Sequence, residues 1–461
     1  MEMTMTLRSE IEKGIAEMGM NFSEFGEWSG INRGIFSAIL NSNPPKPISL
    51  NQLERIAKAL GHEEGWMFER YIDECFYDGR PNRRRVEPFL IRCAELGRVG
   101  CIETVLSRLL EDLRHLETIF EIAEALYADG KIAQSVVFYQ CIVQNEKYHQ
   151  SERLAISHYR LFWAALGDNS EQNLRAAIEF EPFCDKLPDD KRLDGLMRLV
   201  NIYVSLDKRE EIERYSRELY SFSQIVYRNE EQRSKSSAGY IPLKTRYPLV
   251  VYYGYGLMAM QEVNVHRNEF AAAKTYIEAY EDLSWFVGLD EAGRREVEKF
   301  AFYARANRLN LELLLGNQEI LEECAAFVEQ YPNELLQFAS SVLKSANKYK
   351  YSADFVFERF AGEIEKYLSR TFTKDKAIIS FNCYCDICYQ SSLYFLERKE
   401  YAKMFGFVLK GMETVVRINN KSMFIKLAAL FERYRDFASA EQQQQYKKIL
   451  GGISEHEEND G

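Results

Sequence analysis

The residues of this 461-residue chain with the clearest chemical potential are its cysteines, its histidines and a few amides in mid-helix positions. Cys383, Cys385 and Cys388 stand in a C-x-C-x2-C spacing. A structural zinc ion wants a fourth thiolate or imidazole at matching spacing, and the sequence offers none nearby. Nine cysteines, an odd number without a framework spacing, fit reduced thiols in a cytoplasmic setting. The six histidines are dispersed, with no H-E-x-x-H pair and no glycine-rich phosphate loop. The expectation is therefore no metal, no cofactor and no enzymatic centre.

The amides point elsewhere. Asn201 lies six residues before Asp207, and Asn310 lies six residues before Gly316, each position being a break between two helical stretches. Asparagine is a poor mid-helix residue because its side chain competes for backbone hydrogen bonds. Its amide can pair with both the N–H and the C=O of an extended peptide. Asn307 shares the face of Asn310, and Arg198 stands likewise to Asn201, where it can meet a peptide carboxylate. Arg198, Asn201, Asn307 and Asn310 are thus a candidate peptide-binding set. The competing use, in which such amides satisfy carbonyls between packed helices, stays open on sequence alone.

The elements that must position these residues read as helices throughout. Hydrophobic residues make up 46 % of the chain, and 10 prolines and 25 glycines are too few for a turn-rich strand fold. No window holds about 18 consecutive apolar residues, so no membrane-spanning helix is expected. The N-terminus lacks a basic start followed by an apolar run, so no secretory signal is expected either. From Val86 onward, amphipathic helices alternate with short breaks at Gly130, Gly167, Asp207, Asn268 and Gly316, at spacings of 37, 40, 61 and 48 residues. These exceed the roughly 34 residues of a tetratricopeptide unit and are irregular. The segment 86–452 therefore reads as a degenerate array of tetratricopeptide-like helix pairs, stacked as a right-handed superhelix because no pair can bury its apolar face alone. A polar stretch at 229–247 reads as an exposed loop, and 453–461 as a disordered acidic tail.

The first 70 residues differ. Leu7, Ile11, Ile15 and Met18 give a first helix with one apolar face. Asn21 and Ser23 can cap a second, Gly30-Ile31 makes a turn, Asn32 caps a third, and Pro44, Pro45 and Pro47 end it. Ser49 caps a fourth helix, which Gly61 stops. The net charge of −11 speaks against a nucleic-acid partner, but its distribution is uneven. Between Ile31 and Lys58 the balance is +3. Residues 71–85 read as a linker ending in Arg83, Arg84 and Arg85, either a grip on phosphates or a solvated helix start.

Helix, short helix, glycine turn, helix, helix is an arrangement that presents a recognition helix to a major groove. Through Phe25-Gly26, Gly30-Ile31, Arg33 to Asn41 and Leu53 to Gly61, the segment resembles the Xre/lambda-repressor-like helix-turn-helix family. The resemblance implies that the third helix reads double-stranded DNA. Position by position, it puts Asn32, Arg33, Gly34, Ser37, Ala38 and Asn41 on the reading face. Arg33 can make a bidentate contact with guanine, while Ser37 and the amides near Ser23 suit phosphate oxygens. Gly34 and Ala38 depart from the larger polar residues common in that family, which shifts the expected readout toward shape and phosphate contacts.

Taken whole, the chain resembles the RRNPP peptide-pheromone receptors (the Rap, Rgg, NprR, PlcR and PrgX group, with AloR and AimR related to them). That resemblance implies an all-α homodimeric transcription factor whose DNA binding is switched by a short signalling peptide held by Asn201 and Asn310. An alternative expectation is an interaction scaffold that sequesters a signalling partner.

Overall fold

In this computed structural model, residues 6–76, 79–148, 150–167, 169–206, 208–236, 239–368, 374–418 and 420–459 are described. Among them the chain is all-helical, without a strand. It divides into two compact units, residues 1–191 and 192–461.

The first unit opens with α1 (Leu7–Glu17), α2 (Phe22–Ser29), α3 (Arg33–Asn41), α4 (Leu50–Ala59) and α5 (Phe68–Cys75). It continues with α6 (Arg83–Glu95), α7 (Val99–Leu109), α8 (Leu116–Ala128), α9 (Ile132–Asn145), α10 (Glu152–Ala165) and α11 (Ser170–Phe180), and α12 (Asp189–Ser205) crosses into the second unit. Local chemistry sets the boundaries. Asn21 caps α2 by accepting from the N–H groups of Ser23 and Glu24, and the Glu24 carboxylate accepts from the Asn21 N–H in return. Ser49 and Gln52 do the same for α4.

The apolar faces of α1 to α9 meet in one continuous core running from Leu7 to Ile142. This corrects the expected linker at 71–85. Tyr71, Ile72 and Cys75 are buried in that core, and the Tyr71 hydroxyl donates to the Ile48 carbonyl at 3.1 Å. Asp78, also read as part of the linker, lies outside the described residues. The arginine run belongs to the start of α6. Arg83 pairs with Glu87 and Glu121, and Arg85 donates to the Glu74 carbonyl. Met18, expected on the apolar face of α1, is instead the exposed residue that closes the helix.

A charged keystone organises this bundle. Arg8 of α1 donates to the carbonyls of Ile39, near the end of α3, and Lys46, each at 3.0 Å. It also pairs with the buried Glu74 of α5 at 2.6 Å. The second Glu74 oxygen accepts from the Ile48 N–H at 2.8 Å. One ion pair thus fixes α1, α5, the last turn of α3 and the segment after it.

The second unit contains α13 (Arg209–Ser236), α14 (Leu249–His266), α15 (Phe270–Glu281), α16 (Glu291–Leu314), α17 (Leu321–Gln330), α18 (Leu335–Tyr349) and α19 (Asp354–Leu368). It ends with α20 (Lys374–Glu397), α21 (Tyr401–Arg417), α22 (Lys421–Arg433) and α23 (Ala440–Asn459). Neighbours in the chain pack on one another from α13 through α16 and from α20 through α22, and α14, α16, α18 and α20 also touch in series, forming a row of alternate helices. This is compatible with a helical repeat array. The expected break at Asp207 lies outside the described residues, as does Asp168 beside the Gly167 break.

Two expectations here need correction. The loop expected at 229–247 is helical up to Ser236, held by Lys235–Glu231 and Arg233–Glu230 pairs, and only the stretch 239–248 is non-helical. The tail expected to be disordered continues α23 as far as Asn459, and residues 460–461 lie outside the description.

Removing one partner of a buried ion pair leaves the other uncompensated. Glu74→Ala should therefore cost about 3 kcal/mol, read as a lower denaturant midpoint in the N-terminal unit. An unchanged midpoint would show that Glu74 is not the keystone.

Candidate functional site

The candidate residues lie on and around α2 and α3 in the first unit and on α12 and α16 in the second. In the first unit, α2 and α3 approach so closely that a Cβ on Gly26 would stand 2.9 Å from the Ile31 carbonyl oxygen. Gly30, with φ of +67°, reverses the chain in the left-handed region, where glycine alone pays no steric cost. Its carbonyl accepts from Arg55 at 3.1 Å. Asn32 then caps α3 through the Gly34 N–H at 2.8 Å.

This local chemistry leaves one side of α3 outward. Asn32, Arg33, Gly34, Ser37 and Asn41 are exposed, while Phe36 and Ile39 are fully buried beneath them. Ala38 is half-buried, and its carbonyl accepts from the Lys46 N–H at 3.0 Å. The helix carries no acidic residue. Among the described residues Arg33 makes no ion pair, whereas arginines such as Arg92 and Arg153 each hold two or more carboxylates. Ser23 departs from expectation. Its amide, and that of Glu24, are already bound by Asn21, so no free N–H pair for a phosphate exists there.

In the second unit, Asp194, Arg198 and Asn201 follow one face of α12. Tyr255 of α14 donates its hydroxyl to the Asn201 Oδ1 at 2.5 Å. Burial pushes the Tyr255 phenol up to about 12, against the pull of the Arg198 charge. Tyr255, which the sequence reading missed, thus binds Asn201 within reach of the Arg198 charge. Its signal lay in the Gly254-Tyr255-Gly256 triplet. A Cβ at Gly254 would strike the Phe300 ring at 2.6 Å, and one at Gly256 would stand 2.9 Å from the Tyr220 backbone. Both glycines let α14 pack tightly, with Tyr255 between them in the sequence.

The other amides are engaged differently. Asn307 donates to the Tyr280 hydroxyl at 2.9 Å, and Asn310 donates to the Ala306 carbonyl of its own helix at 3.1 Å. The structure therefore does not give Asn201 and Asn310 equivalent surroundings. Asn201 keeps its N–H groups, and Asn310 keeps its oxygen, without a partner among the described residues.

Further along the row, α14, α18 and α20 bring together a charged set that sequence reading did not single out. Glu262 faces His266 at 3.1 Å, Lys344 pairs with Asp386 at 2.8 Å, and Ser340 donates to Asp386 at 2.5 Å. Burial works against the Lys344 ammonium, but Asp386, Cys383 and Glu262 outweigh it and raise it above the ordinary lysine value. Burial pushes the Cys383 thiol up to about 12. Cys385 and Cys388 are buried in the same helix, and among the described residues no three metal-ligating side chains converge.

The non-helical stretch 239–248 is strapped beside α12. Buried Glu230 accepts from the Tyr240 hydroxyl at 2.6 Å, the Leu243 N–H at 2.7 Å and Arg233 at 2.5 Å. Tyr252 donates to Asp194 at 3.2 Å and accepts from the Tyr247 N–H at 3.3 Å.

No family model matches this chain, and no curated protein does. A solved circular tandem repeat protein with novel repeat topology and enhanced subunit contact surfaces is similar over 97 % of this chain and 90 % of its own. The identity is 10 % and the TM-score 0.19.

The strap yields a pH dependence. Burial raises the Glu230 carboxyl, but Tyr240, Leu243 and Arg233 outweigh it and hold it below the ordinary glutamate value. Its stabilisation is then present above that ordinary value and lost as pH falls through the lowered one. Glu230→Gln should reduce amide protection at Leu243 by roughly 1.5–3 kcal/mol at neutral pH. Acidification should bring the unaltered protein to the variant's level, measured by hydrogen exchange. Equal protection at neutral pH would contradict the latch.

Proposed function

We propose that this chain is a peptide-responsive transcriptional regulator of the RRNPP type. In this reading the bundle of α1 to α5 is an Xre-type helix-turn-helix, and α3 lies in the DNA major groove. The later helices are a tetratricopeptide-like array that holds a short signalling peptide. The protein acts in the cytoplasm as a homodimer. The observation that carries the reading is the outer face of α3, which is exposed, free of acid and offers the unpaired Arg33. In a chain of net charge −11, an acid-free exposed helix is where a polyanion meets least repulsion. Arg33 suits guanine or phosphate, and Ser37 and Asn41 suit phosphate or base edges.

The peptide half of the reading draws on α12 and α14. Because Tyr255 occupies the Asn201 oxygen, Asn201 offers N–H groups, and with Arg198 close by that corner is rich in donors. Carbonyl or carboxylate oxygens of a peptide suit it. Asn310 offers its oxygen to a peptide N–H. Asn307 is spent on Tyr280 and acts through packing. A peptide that favours one arrangement of the array shifts the population toward it and resets the spacing of two DNA-reading helices, which must sit about 34 Å apart on one face of the duplex.

A second reading, an interaction scaffold that sequesters a signalling partner, draws on the internal engagement of all three amides. Two double variants separate them. Arg33→Ala with Ser37→Ala should weaken binding to host-derived DNA fragments by roughly 1–3 kcal/mol while the fold stays intact. Unchanged affinity would remove α3 from the interface. Asn201→Ala with Asn310→Ala should weaken peptide binding by roughly 1–3 kcal/mol in calorimetry, and no loss would make both amides structural.

A further inference from the structure

The last helix pair of the second unit carries a face that the DNA and peptide readings do not use. Helices α22 and α23 are joined by residues 434–439 and pack through Phe431 on Tyr446, with ring centroids 3.9 Å apart, so the two run antiparallel. Leu427 and Phe431 are fully buried on the inner side of α22. At about 3.6 residues per turn, Ser422, Ile425 and Ala429 fall on the outer side, and all three are exposed. Ile425 is 66 % exposed, among the most exposed large apolar side chains of the chain. A terminal pair of stacked helices ordinarily turns a polar face outward. Here an apolar stripe stands there instead, and the small Ser422 and Ala429 leave room for a second backbone to approach.

Cations flank this stripe. Lys426 and Arg433 stand on one edge and Lys421 on the other, all exposed. Among the described residues none of the three has a carboxylate partner, and Glu432, the one acid of α22, is held by Arg435 at 3.4 Å. Other lysines of this unit are paired, Lys344 with Asp386, Lys350 with Glu397 and Lys403 with Glu400. Lys421 also begins α22, where the positive end of the helix dipole disfavours a cation, and the first turn holds no acid. An anion laid over this end gains from the dipole and from Lys421 together.

The complement lies in the chain itself. Segment 453–461 carries Ile453, Glu455, Glu457, Glu458 and Asp460, and no lysine or arginine. Glu455, Glu457 and Glu458 fall in the last turns of α23, where the negative end of the dipole disfavours them. Both helices thus carry charges that oppose their own dipoles, and contact between the two segments relieves both. Within one chain α23 lies against the Phe431 side of α22 and leaves the stripe open. A second copy can cover it. Lys421 and His456 each stand about 15 Å along their helices from the Phe431–Tyr446 contact, so α23 ends level with the start of α22. A two-fold axis there brings each copy's segment over the other's stripe. We propose that α22 receives segment 453–461 of a second copy, reciprocally, with Ile453 against Ile425 and the acids against Lys421, Lys426 and Arg433. Direct pairing of two α22 stripes would set like charges together and is disfavoured. The contact supplies an interface for the homodimer proposed above and rests on that part of the reading alone.

The test uses the full chain, with dimer dissociation followed by sedimentation equilibrium. The unaltered protein should be a dimer at micromolar concentration, weakened roughly tenfold between about 50 and 500 mM NaCl as its exposed pairs are screened. Lys421→Glu with Lys426→Glu and Arg433→Glu should raise the dissociation constant roughly a hundredfold, and Glu455→Lys with Glu457→Lys and Glu458→Lys should do the same. The α22 positions are exposed, so the thermal midpoint should stay in place. Combining both sets in one chain should restore the dimer, a rescue that neither a folding defect nor a general change of charge would give. A monomeric unaltered chain would overturn the homodimer and the interface together. A dimer that either reversal leaves intact, or that the combined chain fails to restore, would overturn the interface alone.

Discussion

The Arg8–Glu74 ion pair is the contact on which the outward face of α3 depends. A helix end leaves carbonyls without partners, and α3 ends only a few residues before a proline-rich segment. Arg8 supplies the donor that the end of α3 lacks, and its charge complements the negative end of that helix. Glu74 then holds Arg8 in place and takes the Ile48 N–H with its second oxygen. At the other end of α3, Gly26 and Gly30 set the approach and the turn, and Asn32 closes the cap. Both ends of α3 are thus fixed by the bundle, and among the described residues the outer side chains of Arg33, Ser37 and Asn41 have no hydrogen-bond or ion-pair partner within the fold. That combination suits a surface that must meet a rigid partner.

The second unit treats polar residues in the opposite way. Asn201, Asn307, Asn310, Lys344 and Asp386 all have partners inside the fold. Tyrosines on neighbouring helices hold two of the three amides, so the donor or acceptor that remains is presented in a fixed orientation. Preorganisation of this kind lowers the ordering cost of binding a short flexible ligand. The strap at 239–248 is tied to Asp194 and Tyr252, one turn from Arg198 and Tyr255 on the same helices.

What could be read from the sequence follows the range of the forces involved. The caps of α2, α3 and α4 were legible because a capping bond spans two or three residues. Gly30 and the helix pairs from Ile119 onward were legible for the same reason, since breaks and periodicity are local. Longer-range features were not. Tyr71 looked like part of a linker because its partner, Ile48, lies 23 residues away. The end of α13 read as a loop because its serines and basic residues are poor helix signals on their own. Its helical state rests on i,i+3 and i,i+4 pairs, and its order on a strap that returns to Glu230 from residues 240–243. Mid-helix asparagines announced themselves by type, but whether each was spent depended on Tyr255, 54 residues on, or Tyr280, 27 residues back. The glycines of α14 were the one readable trace of that packing, since each costs about 1 kcal/mol in a helix interior and asks for a reason.

The central claim is that the outer face of α3 reads a defined DNA sequence. The most direct measurement is capture of fragmented host DNA by the full-length protein at about 100 mM salt, where non-specific phosphate binding is weakened, followed by sequencing of what is retained. The account predicts enrichment of one palindromic or repeated site, with half-sites spaced by a whole number of helical turns. Retention spread evenly over the genome, with and without peptides encoded near the most retained fragments, would contradict it.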